Sequence, residues 1–211
     1  YSSTETASNN GDTVTSWVFD SSRQAGDSAV LESDSNCYLV VFRSTGRQEY
    51  ATKDARHILF KVNTSGLDST SETYEADLQA AMAETKAKAD DALAQWKAGE
   101  ATEDSFAALA NELSEDGGSN TNGGLYTKIY KNQMVTEFND WCFDESRQPG
   151  DTGIIYNENT GYHVMYFVGD DVPYWQVQVE NALRSRDTDT WAEGLVAALE
   201  VVQEAGMKHV G

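Results

Sequence analysis

With 211 residues, 39% of them hydrophobic and 10% aromatic, the chain has material for a packed core in one large or two small domains, which excludes disorder throughout. Its 15 Lys and Arg stand against 35 Asp and Glu, a net charge of -20, so most of the surface would repel a phosphate backbone and nucleic acid is not expected as a partner. Two cysteines and three histidines fall at no zinc-ligand spacing, so no metal site is expected, and no run of 18 apolar residues is present to span a bilayer.

Residues 1–15 are rich in Ser, Thr, Asn and Gly and read as a frayed terminus. The chain begins at Tyr1 rather than Met, so any signal or anchor is expected either to have been trimmed off or never to have been there. Residues 14–19 fit the end of a helix. Strands are expected at 28–31 and 38–42 across a turn at 34–36, followed by a polar linker at 44–54. The stretch Trp17 to Asp27 returns as Trp141 to Asp151, 124 residues later. Continued without a gap, the repeat sets Tyr38, Val40 and Phe42 opposite Tyr162, Val164 and Tyr166, and Leu39 where the second copy has His163. Such self-similarity implies two copies of one unit, the first of them incomplete. Cys37 and Cys142 are not at equivalent positions of the repeat. Both lie in apolar contexts and are expected to pack as small hydrophobes rather than to pair.

The second module opens with a strand at 55–62, then a polar loop, Asn63 to Thr73. Leu78, Met82, Ala89, Leu93 and Trp96 recur at helical spacing, predicting a long amphipathic helix with Gly99 as a left-handed C-cap. Thr102 is a good N-cap for a second helix, in which Phe106, Leu109, Ala110 and Leu113 share one face. The segment 114–124 is loop, and a third helix is expected from Met134 to Phe143, with Met134 and Phe138 on the same face. A hairpin with strands near 152–156 and 162–168 and a turn at 157–159 closes the module. Beyond it, Trp175, Val179, Leu183, Trp191, Leu195, Leu199 and Val202 suggest two further helices with a break near 186–189. The fold class is α+β with an antiparallel sheet. Three segments are expected: 1–50, the tail of a degenerate or truncated module; 51–170, a complete module; and 171–211, a helical segment.

Five motifs in order carry a resemblance: Ala55-Arg-His-Ile-Leu59; Phe106-Ala-x-Leu-Ala110; Leu113-Ser-Glu-Asp-Gly-Gly-Ser119 with Gly123-Gly-Leu125; Met134-Val-x-x-Phe138 running to Phe143; and Gly161-Tyr-His-Val164. Together they resemble the parvulin family of peptidyl-prolyl cis/trans isomerases over residues 55–168. The resemblance implies a four-stranded antiparallel sheet surrounded by helices. It also implies isomerisation of Xaa-Pro bonds with no cofactor, on unfolded or proline-containing polypeptide clients. By the same resemblance Leu125, Met134, Phe138 and Phe143 bind the substrate, and His57, Asp116, Thr160 and His163 form the catalytic polar network. A bacterial extracellular or cell-surface location is implied likewise. Relatives that act on phosphorylated substrates carry basic residues in the loop after the first strand. Here Asn63 to Thr73 has no Lys or Arg and contains Asp68 and Glu72, so phosphate selectivity is not expected. Tyr126 stands where many relatives have Gly. Residue types alone would also admit a Ser/His/Asp hydrolase, but no nucleophile elbow accompanies them. Non-catalytic binding of unfolded chains in the same groove is the rival reading.

Overall fold

The computed structural model describes residues 13–32 and 36–197. The expected frayed start, most of the turn at 34–36, and Leu199 and Val202 lie outside the described residues. The chain divides into two units, Tyr1–Arg47 and Gln48–Gly211.

In the first unit, helical residues 13–18 (α1) lead to an antiparallel hairpin of β1 (Ser28–Glu32) and β2 (Cys37–Val41), with Ser28 opposite Val41 and Glu32 opposite Cys37. Alternation leaves Val30, Leu39 and Val41 on the exposed face. Cys37 is exposed too, against the expectation that it packs as a hydrophobe, while Cys142 of the second unit is buried; both are free thiols.

The repeated stretch has the same local bonding in both copies. Asp20 and Asp144 each accept the amide and hydroxyl of the Ser two residues on. Arg23 and Arg147 donate Nε to the carbonyls of Trp17 and Trp141, and lie 4.3 and 4.1 Å from those Trp rings. The amides of Gly26 and Gly150 donate to Phe42 and Phe167. That last pair corrects the ungapped register. Phe42 corresponds to Phe167, not Tyr166, and the strand pairings agree: Ser28 faces Val41 whereas Thr152 faces Tyr166. The second hairpin has one more residue in its turn, so Tyr38, rather than Leu39, stands at the position of His163.

The second unit holds a four-stranded antiparallel sheet in the order β4-β3-β6-β5, formed by β3 (Ala51–Phe60), β4 (Leu125–Ile129), β5 (Thr152–Asn157) and β6 (Gly161–Pro173). The central strands β3 and β6 are covered on both faces. On one, Ile58, Phe60 and Val164 pack against Ala89, Ala92 and Trp96 of α2 (Tyr74–Ala98) and Phe106, Leu109 and Ala110 of α3 (Glu103–Leu113). On the other, Ala55 and Met165 meet Ile129 together with Phe138 and Cys142 of α4 (Thr136–Cys142). Burying Phe106 fully stabilises by about 2–3 kcal/mol.

Helix boundaries follow local chemistry. Thr102 and Ser105 form a reciprocal capping box at the start of α3. Gly99 is not the left-handed cap expected of it: its φ is -91°, its amide still donates to Gln95 and Trp96, and the left-handed residue is Ala101 at φ 51°. Met134 precedes α4 instead of lying on it. The expected break near 186–189 is absent, because α5 runs unbroken over Tyr174–Ala197. Residues 186–189 hold no Gly or Pro, and the hydroxyls of Thr188 and Thr190 fold back onto the carbonyls of Arg184 and Arg186. The start of α5 is held by Tyr174, stacked between Tyr50 and Tyr130, and by the Lys128–Glu180 pair at 2.7 Å.

Candidate functional site

Alternation along β3 and β6 puts His57 and His163 on the α4 side of the sheet, diagonal to each other because Leu59 pairs with His163 and His57 with Met165. Both are buried, 3% and 4% exposed. Their rings stack at 5.1 Å with the Nδ1 atoms 2.9 Å apart. Phe138 stands edge-on to both, 5.4 and 6.0 Å away.

The loop 114–124 brings in Asp116. Ser114 Oγ accepts the Leu59 amide, the Glu115 amide donates to the Leu59 carbonyl, and Arg56 reaches across to the carbonyls of Asn122 and Gly123 while pairing with Glu103. Gly124 is required there: its φ is +69° and a Cβ would collide with the His57 carbonyl oxygen. Pinned in this way, Asp116 Oδ2 accepts from His57 Nε2 at 2.9 Å, Ser119 Oγ at 2.6 Å and the Tyr126 hydroxyl at 2.9 Å, while Oδ1 accepts the Gly118 amide at 3.1 Å. At the other end, Thr160 Oγ1 lies 2.8 Å from His163 Nε2. Asn157 at the base of the β5–β6 turn donates to Glu137 of α4.

Charge fixes the protons in this chain. Burial acts to raise the Asp116 pKa, but the bonds from Ser119, His57, Gly118 and Tyr126 outweigh it and hold the carboxyl far below its usual range. Burial lowers His57 against the opposing pull of Asp116, and burial with the neighbouring His57 lowers His163 to about 4. Both imidazoles are therefore neutral at pH 7. An ionised Asp116 requires His57 to donate from Nε2, so His57 Nδ1 accepts, His163 donates from Nδ1, and His163 Nε2 accepts from Thr160, whose hydroxyl is shared with Asn157 Oδ1 at 3.1 Å. The result is a one-directional chain from hydroxyl to carboxylate. Among the described residues, every buried side-chain polar atom has a partner.

The four polar residues read from the sequence, His57, Asp116, Thr160 and His163, are brought into one network, and Phe138 forms its apolar wall. Met134 packs on the same cluster as Phe138. Leu125 is not brought in: it pairs with Arg56, and alternation turns it to the other face of β4, so Tyr126 meets His57 at 5.5 Å and Phe138 at 6.5 Å. Phe143 packs at the edge of the cluster, where its ring meets Tyr50, Lys53 and Lys131 rather than the histidines. Sequence reasoning missed Ser119, Tyr126, Asn157 and Glu137. Ser119, inside the quoted Gly-Gly-Ser motif, was the one with a usable signal. Beside Thr160 opens a groove of about 580 Å³ lined by Leu59, Val62, Tyr74, Leu78 and Tyr156. Among the described residues no cluster of three His, Cys, Asp or Glu could hold a metal ion.

Residues 38–169, more than half of the chain, match the family model of the PPIC-type PPIase domain. No curated protein matches. Among solved structures the chain is similar to the peptidylprolyl isomerase PrsA of Bacillus cereus, at 19% identity and TM-score 0.42 over 75% of this chain and 54% of that one. It is similar also to a SurA-like chaperone of Campylobacter jejuni, at 22% and 0.40 over 73% and 56%. A third is Pin of the archaeon Cenarcheaum symbiosum, at 26% and 0.34 over 59% and 97%. The chain thus spans about half the length of the first two.

Proposed function

The chain belongs to the family of PPIC-type peptidyl-prolyl isomerase domains, and from that premise we propose that it catalyses cis/trans isomerisation of unphosphorylated Xaa-Pro bonds. The observation that carries this reading is the buried chain Thr160–His163–His57–Asp116 set against the apolar wall of Phe138. Rotation about an Xaa-Pro bond meets a barrier of about 18–20 kcal/mol from amide resonance, and needs neither a nucleophile nor a redox group. A catalyst must hold the proline ring in an apolar cup and bind the twisted amide better than the planar one. Phe138 and Met134 supply apolar surface. The ionised Asp116, placed beside the substrate carbonyl, disfavours the charge-separated resonance form that gives the C–N bond its double character. The neutral histidine pair holds that carboxylate in place without cancelling its charge. Phosphorylated substrates gain nothing, since the segment Asn63 to Thr73 carries Asp68 and Glu72 and no cation.

In this reading residues 51–170 are the catalytic module, residues 1–50 contain the tail of a second one, and the clients are unfolded or exported polypeptides at a bacterial surface. The recurrence of the Asp20–Phe42 bonding pattern at Asp144–Phe167 supports the second copy. No helix among the described residues is long and apolar enough to cross a membrane.

A non-catalytic binding role is favoured by one observation, the exposed apolar side chains Leu39 and Val41 of β2 and Trp191 and Leu195 of α5. A protease-coupled assay on a panel of Xaa-Pro peptides, with and without phosphoserine before proline, separates the two. Acceleration of the unphosphorylated peptides supports the isomerase; suppression of client aggregation with no acceleration supports binding alone.

A further inference from the structure

We infer that Tyr126 is a positioning residue of this site, holding the Asp116 carboxylate fixed through its phenol hydroxyl while its ring walls the cup beside Phe138. The inference deepens the isomerase reading and rests on it for its catalytic part. Three observations converge. The hydroxyl donates to Asp116 Oδ2 at 2.9 Å, the same oxygen that takes His57 Nε2 and Ser119 Oγ. That oxygen is saturated, whereas Oδ1 has the Gly118 amide alone and keeps acceptor capacity for a substrate. The ring stands 5.5 Å from the His57 ring and edge-on to Phe138 at 6.5 Å, so one side chain touches both the polar and the apolar half of the site. Space for the phenol has been left by Gly118, where a Cβ would sit 2.9 Å from the Tyr126 hydroxyl. Gly118 does not have a positive φ, so its backbone conformation does not demand glycine and the clearance does.

A carboxylate with three donors on one oxygen cannot rotate without breaking all three. Removing one donor loosens it and eases its protonation. Tyr126 thus acts on turnover through Asp116 and on binding only through its ring. The hydroxyl and the ring are separable by substitution: Tyr126→Phe deletes the first and keeps the second, Tyr126→Leu keeps an apolar wall of another shape, and Gly118→Ala pushes the phenol off the carboxylate with Tyr126 intact.

The test reads two quantities on the whole chain. The first is the titration of the Asp116 side-chain carboxyl by carbon NMR. The second is the division between kcat and KM for an unphosphorylated Ala-Pro peptide. Tyr126→Phe should move the carboxyl midpoint upward and lower kcat on the order of ten-fold, the worth of one hydrogen bond to a charged group, with KM unchanged. Gly118→Ala should do the same, and Tyr126→Leu should raise KM in addition. An unmoved carboxyl midpoint, or a Tyr126→Phe loss confined to KM, overturns the proposal while the isomerase reading stands. An inactive wild-type chain overturns the isomerase reading and the catalytic part of the proposal together, and the titration then decides whether Tyr126 holds Asp116 at all.

Discussion

Phe138 is 1% exposed and touches both histidine rings, so it belongs to the core as much as to the cup. Phe138→Ala should therefore cost about 3–5 kcal/mol of stability along with activity, measured by urea melts beside rates. Asp116 is also more than a turn residue, because removing it strands the donors of His57, Ser119, Tyr126 and Gly118. Asp116→Ala should lose about 1–3 kcal/mol and most of its turnover, and a variant of wild-type stability would show the carboxylate to be dispensable. The histidines set a pH dependence. His163 titrates near 4 in the folded chain against about 6.5 unfolded, so the unfolded state takes up the proton first as pH falls. Its contribution is whole above about pH 6.5 and is lost toward pH 4, on the order of 3 kcal/mol, with His57 acting in the same direction. Urea midpoints at pH 7.5, 5.5 and 4.5 check the sign; a midpoint that rises on acidification contradicts it. His57, Asp116 and His163 were legible in the sequence because each sits in a short motif with fixed spacing, and Thr160 because it directly precedes one. Tyr126 was not, since Leu125 and Tyr126 are adjacent and only the pairing of Arg56 with Leu125 shows which of them turns toward His57.

At the scale of elements, the apolar periods placed α2, α3 and the two hairpins, while their ends were set by contacts that periodicity does not carry. Gly99 looks like a cap by residue type, yet the chain extends helical bonding through it and turns at Ala101. Met134 and Phe138 have helical spacing, yet α4 begins after Met134, and the two are united by packing instead. The polar stretch 186–189 looked like a break, but without Gly or Pro nothing in it forces α5 to stop. The capping box of α3 offers a clean control away from the site. Thr102→Ala should cost about 1 kcal/mol and leave kcat unchanged, whereas loss of activity would couple the α3 start to the site through Glu103 and Arg56.

For the whole molecule, the division at Arg47 and Gln48 leaves the entire His57–Asp116–His163 network and its apolar wall within one unit. A chain of residues 48–211 should then fold cooperatively and keep the activity of the full chain, which a thermal melt and a peptide assay would check. The internal repeat was visible in the sequence from Trp17 and Trp141, but its register was not. One extra residue in the β5–β6 turn shifts every position after it, which the bond from Gly150 to Phe167 and the pairing of Thr152 with Tyr166 reveal. The central claim is that this one network accelerates rotation about Xaa-Pro bonds. The most direct measurement is exchange NMR on an unphosphorylated Ala-Pro peptide with the chain at about a hundredth of the peptide concentration. Cis/trans exchange should be far faster than the uncatalysed tens to hundreds of seconds with the wild type, and near the uncatalysed rate with Asp116→Ala. Wild-type exchange at the uncatalysed rate, from a chain shown to be folded, would contradict that claim.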